Sequence, residues 1–549
     1  MTPGLAGFIA SGHDELAWDQ SVAGVLEALG TGFDIVPERG GASTASRRTW
    51  LDTFDWRLYR AGLTLEYVGR PRGGELLVSA GVDSPAITQP VIGWQAGRPH
   101  LMCDLPNGPV ASRIGDLVAP RALLPVVTVT STTTTHRLLN EDGKTVARLL
   151  VERPSVPGPP VTRLAPRLAI TEVRGYPGAA RSAARLVSAA PGIEPAAIPP
   201  FSEALRAVGR RPGDYSNKID TDITAARPAG QSAATILLRL LDTIEANLGG
   251  VLADTDTEFL HDLRVAVRRT RSALKLFGDT LTGRAGLTKD EVGFFAAEFK
   301  WVGDLTTPVR DLDVHLLDFE ETARSLSAAK PDDLEPFRGY LEQRRRRELR
   351  ILTRGLKSAR FSGLARDWRA RLTAIEAGNP STAGARVRSG RDRGAAGETT
   401  GALAMERTRA AFAKTVRRGA AITLESPAET LHDLRKRAKE LRYALEFFAP
   451  LHDRGAQAKV VGDLKRLQDV LGEFQDTEVQ VAEIRALATA MLEAGEAPAV
   501  TLLAMGEVTA GLALRQRAAR EDFDRRFAAF AGIDGQRRIS ALLRGEPER

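Results

Sequence analysis

Two segments constrain this chain more than anything else in it. LHDLRVAVRRTRSALKLF runs from Leu260 to Phe277, and LHDLRKRAKELRYALEFF from Leu431 to Phe448. At a spacing of 171 positions, His261 falls on His432, Arg264 on Arg435, Arg268 on Lys439, Arg271 on Arg442 and Phe277 on Phe448. A second pair follows in the same order. KWVGDLTTPVRDLDV (Lys300 to Val314) matches KRLQDVLGEFQDTEV (Lys465 to Val479) at a spacing of 165, with Lys300 on Lys465, Asp304 on Asp469 and Asp311 on Asp476. Two paired segments in one order mean a duplicated helical unit, which predicts two pseudo-symmetric bundles.

An α-helix turns about 100° per residue. With His261 at 0°, Arg264, Arg268, Arg271 and Lys275 fall at roughly 300°, 340°, 280° and 320°. Leu263, Ala266, Val267, Leu274 and Phe277 fall roughly between 140° and 240°, which is the stripe a core would bury. In the second copy His432, Arg435, Lys439 and Arg442 keep the basic arc, while Glu446 replaces Lys275. Leu434, Leu441, Leu445 and Phe448 form its apolar stripe, and Tyr443 and Phe447 are placed beside it as structural aromatics. Asp262 and Asp433, next to the histidines, are candidates for supporting a helix start.

A plain solvated face explains one such helix. It does not explain why the same residue types recur at the same places, and histidine, mostly neutral at pH 7, is a poor solubiliser. A ligand face is favoured. A row of Arg and Lys suits a chain of phosphates, Arg as a planar fork and Lys as a mobile point charge, and a nearby histidine would have its protonated form stabilised. Lys300 and Lys465, on the partner helices, complete the candidate surface. Cations around each histidine repel a metal ion, so neither a metal nor a cofactor is expected. Nucleic acid is the rival polyanion, but single-strand binders add aromatic platforms for bases. The first motif has Phe277 alone, on its apolar side, and aromatics are 6% of the chain.

The rest of the chain has two grammars. As far as about Tyr215, short β-branched runs (TWLDTFDWRLYRAGLTLEYV, GGELLVSAGV, LLPVVTVTSTTTTHRLL, KTVARLLVERP, RLAITEVRGY) alternate with Gly and Pro turns. One helix is predicted between Ala179 and Ala190. This is an α+β or barrel-like grammar. From about Gln231 the pattern is long helices, and Gly378 to Gly401, small, polar and basic, reads as a flexible linker. The predicted domains are 1–220 and 231–549, the latter in halves of about 231–377 and 402–549. A further basic helix, YLEQRRRRELRILTRGLKSARF, sets Arg346, Arg347, Arg350, Arg354 and Lys357 opposite Leu341, Leu349, Leu352 and Leu356, with Arg344 at the flank of the apolar stripe. A polyanion surface and a plain solvated face both fit it.

Composition adds limits. Net charge is only +7 in 549 residues, so polyanion binding must come from the arrangement of charge. A single cysteine, Cys103, allows no internal disulfide and fits a reducing compartment. No secretory leader or membrane span is read, so a cytoplasmic protein is expected.

The paired motifs resemble the CHAD family, the conserved histidine α-helical domain, across roughly Ala233 to Phe530. The resemblance implies paired four-helix bundles whose basic faces bind inorganic polyphosphate and associate with polyphosphate granules. The N-terminal region resembles, more loosely, a CYTH domain, the triphosphate-tunnel fold, through WLDTFDWRLYRAGLTLE, KTVARLLVE, ITEVRGY and YSNKI. This implies Lys144, Arg148, Arg174 and Lys218 as candidate tunnel-lining residues. The family's ExExK strand is missing between Met1 and Gly40, Glu172 stands without its paired acid, and Glu66 replaces an arginine. A metal-dependent triphosphatase needs those acids to hold its ion, so binding without catalysis is the expectation. Triphosphate hydrolysis in the tunnel and nucleic-acid binding are the alternatives.

Overall fold

The computed structural model describes residues 5–11, 14–38, 43–70, 73–81, 85–282, 286–378 and 398–544. Two compact units divide the chain, Met1–Ser216 and Asn217–Arg549. The expected linker lies almost wholly outside the described residues.

The first unit contains β1 (Leu5–Ala10), α1 (Glu15–Gly30), β2 (Asp34–Pro37), β3 (Thr44–Asp52), α2 (Arg57–Arg60), β4 (Thr64–Arg70), β5 (Gly73–Ser79), β6 (Ile87–Val91), α3 (Pro109–Val118), β7 (Leu124–Leu139), β8 (Thr145–Val156), β9 (Thr162–Arg163), β10 (Arg167–Glu172), α4 (Pro177–Ala189), β11 (Ile193–Pro195) and α5 (Pro200–Ala207). Among the described residues the strands form one antiparallel sheet in the order β11-β1-β10-β8-β7-β3-β4-β5-β6, with β2 beside β7 and β9 beside β8. Strand alternation supplies the cores. Leu149 and Val151 of β8 and Leu168 and Ile170 of β10 pack with Val25 and Leu29 of α1 and Val187 of α4. Leu65 and Leu76 meet Ile114 of α3.

The WLDTFDWRLYR motif builds a turn. Asp52 accepts backbone N–H groups from Thr53, Leu58 and Tyr59 at 2.7–3.0 Å, so its carboxylate caps α2. Burial nonetheless outweighs those bonds and raises its pKa to about 6. Trp56 takes a left-handed φ of 62° and donates its indole N–H to Asp214 at 2.8 Å.

The second unit is helical: α6 (Ala229–Leu252), α7 (Thr257–Leu281), α8 (Lys289–Leu317), α9 (Phe319–Arg324), α10 (Glu335–Leu356), α11 (Ala359–Glu376), α12 (Thr400–Gly419), α13 (Ala428–Phe447), α14 (Arg454–Glu493), α15 (Ala499–Ala531) and α16 (Ile533–Arg544). The first half packs α6, α7, α8 and α10, with α11 against α6. The second packs α12, α13, α14 and α15, with α16 against α14 and α15. The apolar stripes are where the periodicity puts them. Leu263, Ala266, Val267, Leu274 and Phe277 are buried on α7, and Leu434, Leu441 and Leu445 on α13, with Phe448 buried just past its end.

Among the described residues the halves meet at several places, including the start of α12, where the Thr400 hydroxyl bonds Ser232 of α6 at 2.8 Å. The apolar ends of the two motif helices meet, with the Phe277 ring 5.8 Å from Phe447 and 5.6 Å from Phe448 between centroids. Elsewhere Leu312, Phe337 and Leu341 of the first half share a cluster with Leu487, Met491 and Met505 of the second. Glu507 of α15 adds a polar tie, accepting backbone N–H groups from Ser327, Ala328 and Ala329 of the first half. Those bonds hold its pKa down to about 2.

Candidate functional site

Neither histidine opens its helix. Asp256 caps α7, accepting from Glu258 and Phe259, so that helix begins at Thr257, four residues before His261. The α13 helix begins at Ala428, four before His432. The neighbouring acids do not cap either helix. Asp262 is buried and accepts from Asn217 at 2.8 Å, whereas Asp433 is exposed beside Lys436.

The duplication holds at the level of contacts. Arg264 of α7 donates to the Thr306 and Thr307 hydroxyls of α8 at 3.1 and 2.8 Å. Both hydroxyls bond back to the Gly303 carbonyl at 2.9 Å, one turn before Pro308, which lacks an N–H. At the matching place on α14, Gly472 stands where Thr307 would be and offers no hydroxyl. Arg435 turns instead to Asp476, at 2.9 Å. Arg271 lies over Gly303, where an added β-carbon would come 3.3 Å from its guanidinium. Its counterpart Arg442 reaches Gln468, the counterpart of Gly303, at 3.4 Å. His432 donates Nδ1–H to Gln475 at 2.5 Å. His261 is half-buried on α7.

The two basic arcs converge. Arg268 of α7 donates Nε–H to the Tyr443 hydroxyl of α13 at 2.9 Å. Lys439, one turn before Tyr443, has its pKa lowered to about 8, first by burial and then by the positive charges of Arg435 and Arg268. Burial likewise lowers the pKa of Arg264, with Asp311 opposing. Cations from both halves therefore share one locality at the α7–α13 contact.

Part of the expected basic surface is neutralised. Arg435 is paired with Asp476, Arg442 with Glu446 at 2.7 Å, and Lys300 with Asp304 at 2.5 Å. Glu446, which replaces a lysine of the first copy, also takes Arg269 across the half boundary at 2.8 Å. Among the described residues, Arg268, Arg271, Lys275, Lys439 and Lys465 form no ion pair with a carboxylate. Lys275 and Lys465 are exposed.

Tyr443 has two roles: its ring stacks on Phe447 at 6.2 Å, in the structural place expected for it, and its hydroxyl meets the basic arc. Its angle from His432 is roughly 20°, inside the basic arc. The spacing alone holds that signal, which the apolar character of the ring disguises. The ring is buried, at 7% exposure, while its hydroxyl holds Arg268.

The family model for the CHAD domain matches residues 235–485. This segment is a CHAD domain. It contains both motif helices and the residues that converge on them. The similar solved structures include three of different origin. The CHAD domain from the plant Ricinus communis shares 22% identity and covers 57% of this chain and 96% of its own, with a TM-score of 0.46. PptA from Streptomyces chartreusis shares 18%, covers 55% and 99%, and scores 0.40. A putative adenylate cyclase from Bacillus halodurans shares 12%, covers 34% and 90%, and scores 0.23. At these values the three likenesses carry no argument about function. None of the curated proteins matches the chain.

Outside the CHAD domain, the candidate tunnel residues lie on separate elements. Arg148 lies on β8, opposite Arg137 of β7 and 3.4 Å from Glu38. Lys144 sits in the preceding turn, 3.6 Å from Asp142, and Arg174 is exposed beyond the end of β10. Lys218 falls two residues past the end of the sheet unit, in the helical one. Glu66, on β4, pairs with Arg48 at 3.8 Å, and Arg48 also pairs with Glu152. A positive residue there is thus balanced within the sheet. Among the described residues, no helix is long and apolar enough to cross a membrane.

Proposed function

We propose that this chain binds inorganic polyphosphate, without catalysis, at the contact between α7 and α13 of its CHAD domain, and that it associates with granules of that polymer. The observation that carries this reading is the meeting of Arg268 and Lys439. They come from opposite halves, form no ion pair with a carboxylate among the described residues, and lie close enough for the guanidinium to depress the lysine's pKa. Like charges brought together at a partly buried place favour an anion between them. Arg271, Arg264, Arg435, Arg442, His261 and His432 line the approaches, and exposed Lys275, Lys300 and Lys465 extend them.

Titration of the full chain with fluorescent polyphosphate tests the reading, with single-stranded DNA as competitor at matched salt, because both polymers lose affinity as salt rises. Displacement of DNA by polyphosphate is expected. Preference for DNA, or no polyphosphate binding, overturns it.

Lys439 also predicts a pH dependence. Its folded pKa, about 8, lies below the ordinary lysine value of 10.5. In the free protein, folding then favours the neutral form, and stability from this group rises with pH between about 8 and 10.5. A bound polyanion favours the charged form, so binding takes up a proton in that window. Affinity should fall by about tenfold between about pH 7 and pH 9, and Lys439→Arg should flatten the profile. An equally steep fall in that variant assigns the titration elsewhere.

A further inference from the structure

The basic helix α10 is not part of the α7–α13 contact. It packs on α8, and it turns a different set of cations outward. Arg345 points inward to buried Asp313. Arg346 is exposed and pairs with Glu342 at 3.6 Å. Arg344, Arg347, Arg350 and Arg354, together with Lys357 just past the helix end, are all exposed. Among the described residues, none of these five forms an ion pair with a carboxylate.

This is an unusual way to make a solvated face. Exposed helices ordinarily place acids three or four residues from bases, and like charges at those spacings are unfavourable. Here Arg350 and Arg354 are four apart, Arg347 and Arg350 three apart, and Arg354 and Lys357 three apart. The stripe extends for about 20 Å along the axis. Four of its five cations are arginine, the residue whose planar fork matches phosphate oxygens. At its N-terminal end Arg344 and Arg347 line a cleft of about 340 Å³ with Tyr340 and Gln343, against the turn between α14 and α15, and Glu348 and Glu496 stand at the same cleft.

We infer that the outer face of α10 is a second docking surface for a phosphate chain, which long polyphosphate engages in addition to the α7–α13 contact. This rests on the proposed function and deepens it, since it makes affinity depend on chain length. A chain too short to reach both surfaces occupies the first alone. Inorganic polyphosphate is favoured over nucleic acid because, of the two aromatics of α10, Phe337 is buried in the core and Tyr340 alone borders the stripe, so the surface offers charge without a platform for stacked bases.

The test uses the full chain, with tripolyphosphate and long-chain polyphosphate as separate probes. Arg347, Arg350 and Arg354 are each changed to Gln, which keeps helix propensity and removes three charges. Circular dichroism confirms the fold. The triple variant should bind long chains about tenfold more weakly, with a salt slope lower by roughly 2, since each neutralised phosphate contributes about 0.7. Tripolyphosphate affinity should be unchanged. Unchanged long-chain affinity and slope overturn the second surface. So does a loss confined to single-stranded DNA, which would make the face a nucleic-acid site. Failure of the proposed function is recognised separately, because the wild type would then bind neither polyphosphate. If the function holds and α10 alone is misassigned, Arg268→Glu with Lys439→Glu abolishes binding while the triple variant matches the wild type.

Discussion

Replacing Arg268 and Lys439 together by glutamate should weaken polyphosphate binding about 100-fold or more, at roughly 1.5–3 kcal/mol for each charged hydrogen bond removed. The new carboxylates would also repel the chain, so this is a lower bound. The fold should survive because of what these side chains touch. Among the described residues neither forms an ion pair with a carboxylate, and the Arg268 guanidinium is held by the Tyr443 hydroxyl. Losing that one bond costs about 1 kcal/mol. Removing Lys439 even relieves a strained charge, since burial and two arginines already disfavour its protonated form. Lys300→Glu serves as the comparison. Lys300 is exposed and held by Asp304, so its replacement should change affinity only a few-fold, as for an exposed pair worth about 0–1 kcal/mol. Fluorescence anisotropy with labelled polyphosphate gives the affinities, and far-UV circular dichroism gives the helicity. Undiminished affinity in the double variant with intact helicity would remove the α7–α13 contact from the site.

The double variant also separates two kinds of information in the chain. The repeat, the buried stripes and the basic arcs are all legible, because a helix converts sequence spacing into angle. Arg268 and Lys439 can therefore be paired by counting alone. Their convergence on one place cannot, since it depends on how α7 crosses α13. The neutralising partners are hidden for the same reason. Asp476 is visible as the repeat of Asp311, yet only packing brings it to Arg435 while Arg264 takes threonine hydroxyls. Glu446 looks like a lost lysine and proves to be a tie between halves through Arg269. In the first unit the strands are legible from β-branched runs and turns, and the predicted helix between Ala179 and Ala190 corresponds to α4. Helix α1 escapes the periodicity, because small and polar residues dilute its buried stripe to Ser21, Val22, Val25 and Leu29. The boundary between the two grammars, expected near 220, corresponds to a division after Ser216.

The second large effect is on stability and concerns the arginine that turns inward from α10. Arg345 donates Nε–H to Asp313 of α8 at 2.5 Å and both terminal nitrogens to Asp254 at 2.7 and 2.9 Å. Asp254 follows α6 with a left-handed φ of 50°, so one guanidinium joins the end of α6 to α8 and α10. The Asp313 side chain is wholly buried and, among the described residues, its Oδ2 has no hydrogen-bond partner, so its charge depends chiefly on Arg345, with Arg310 as a lesser support. Arg345→Met keeps an unbranched stem and leaves that carboxylate stranded. Breaking a buried pair in this way costs about 3–5 kcal/mol. Burial already raises the Asp313 pKa, with Arg345 opposing the rise. Without the guanidinium it rises further, so the folded variant binds a proton more tightly than the unfolded chain. Stability of the variant relative to wild type is then poorest at neutral pH and recovers as pH falls towards the ordinary aspartate value. Arg346→Met, one position away and exposed, should cost little, and Asp313→Leu added to Arg345→Met should restore much of the loss by replacing the stranded charge with an apolar group. Denaturant unfolding of the helical signal, at neutral and mildly acidic pH, measures all of these. Equal and small losses for Arg345→Met and Arg346→Met would mean that the buried carboxylate is already protonated and that the pair does not hold the three helices together.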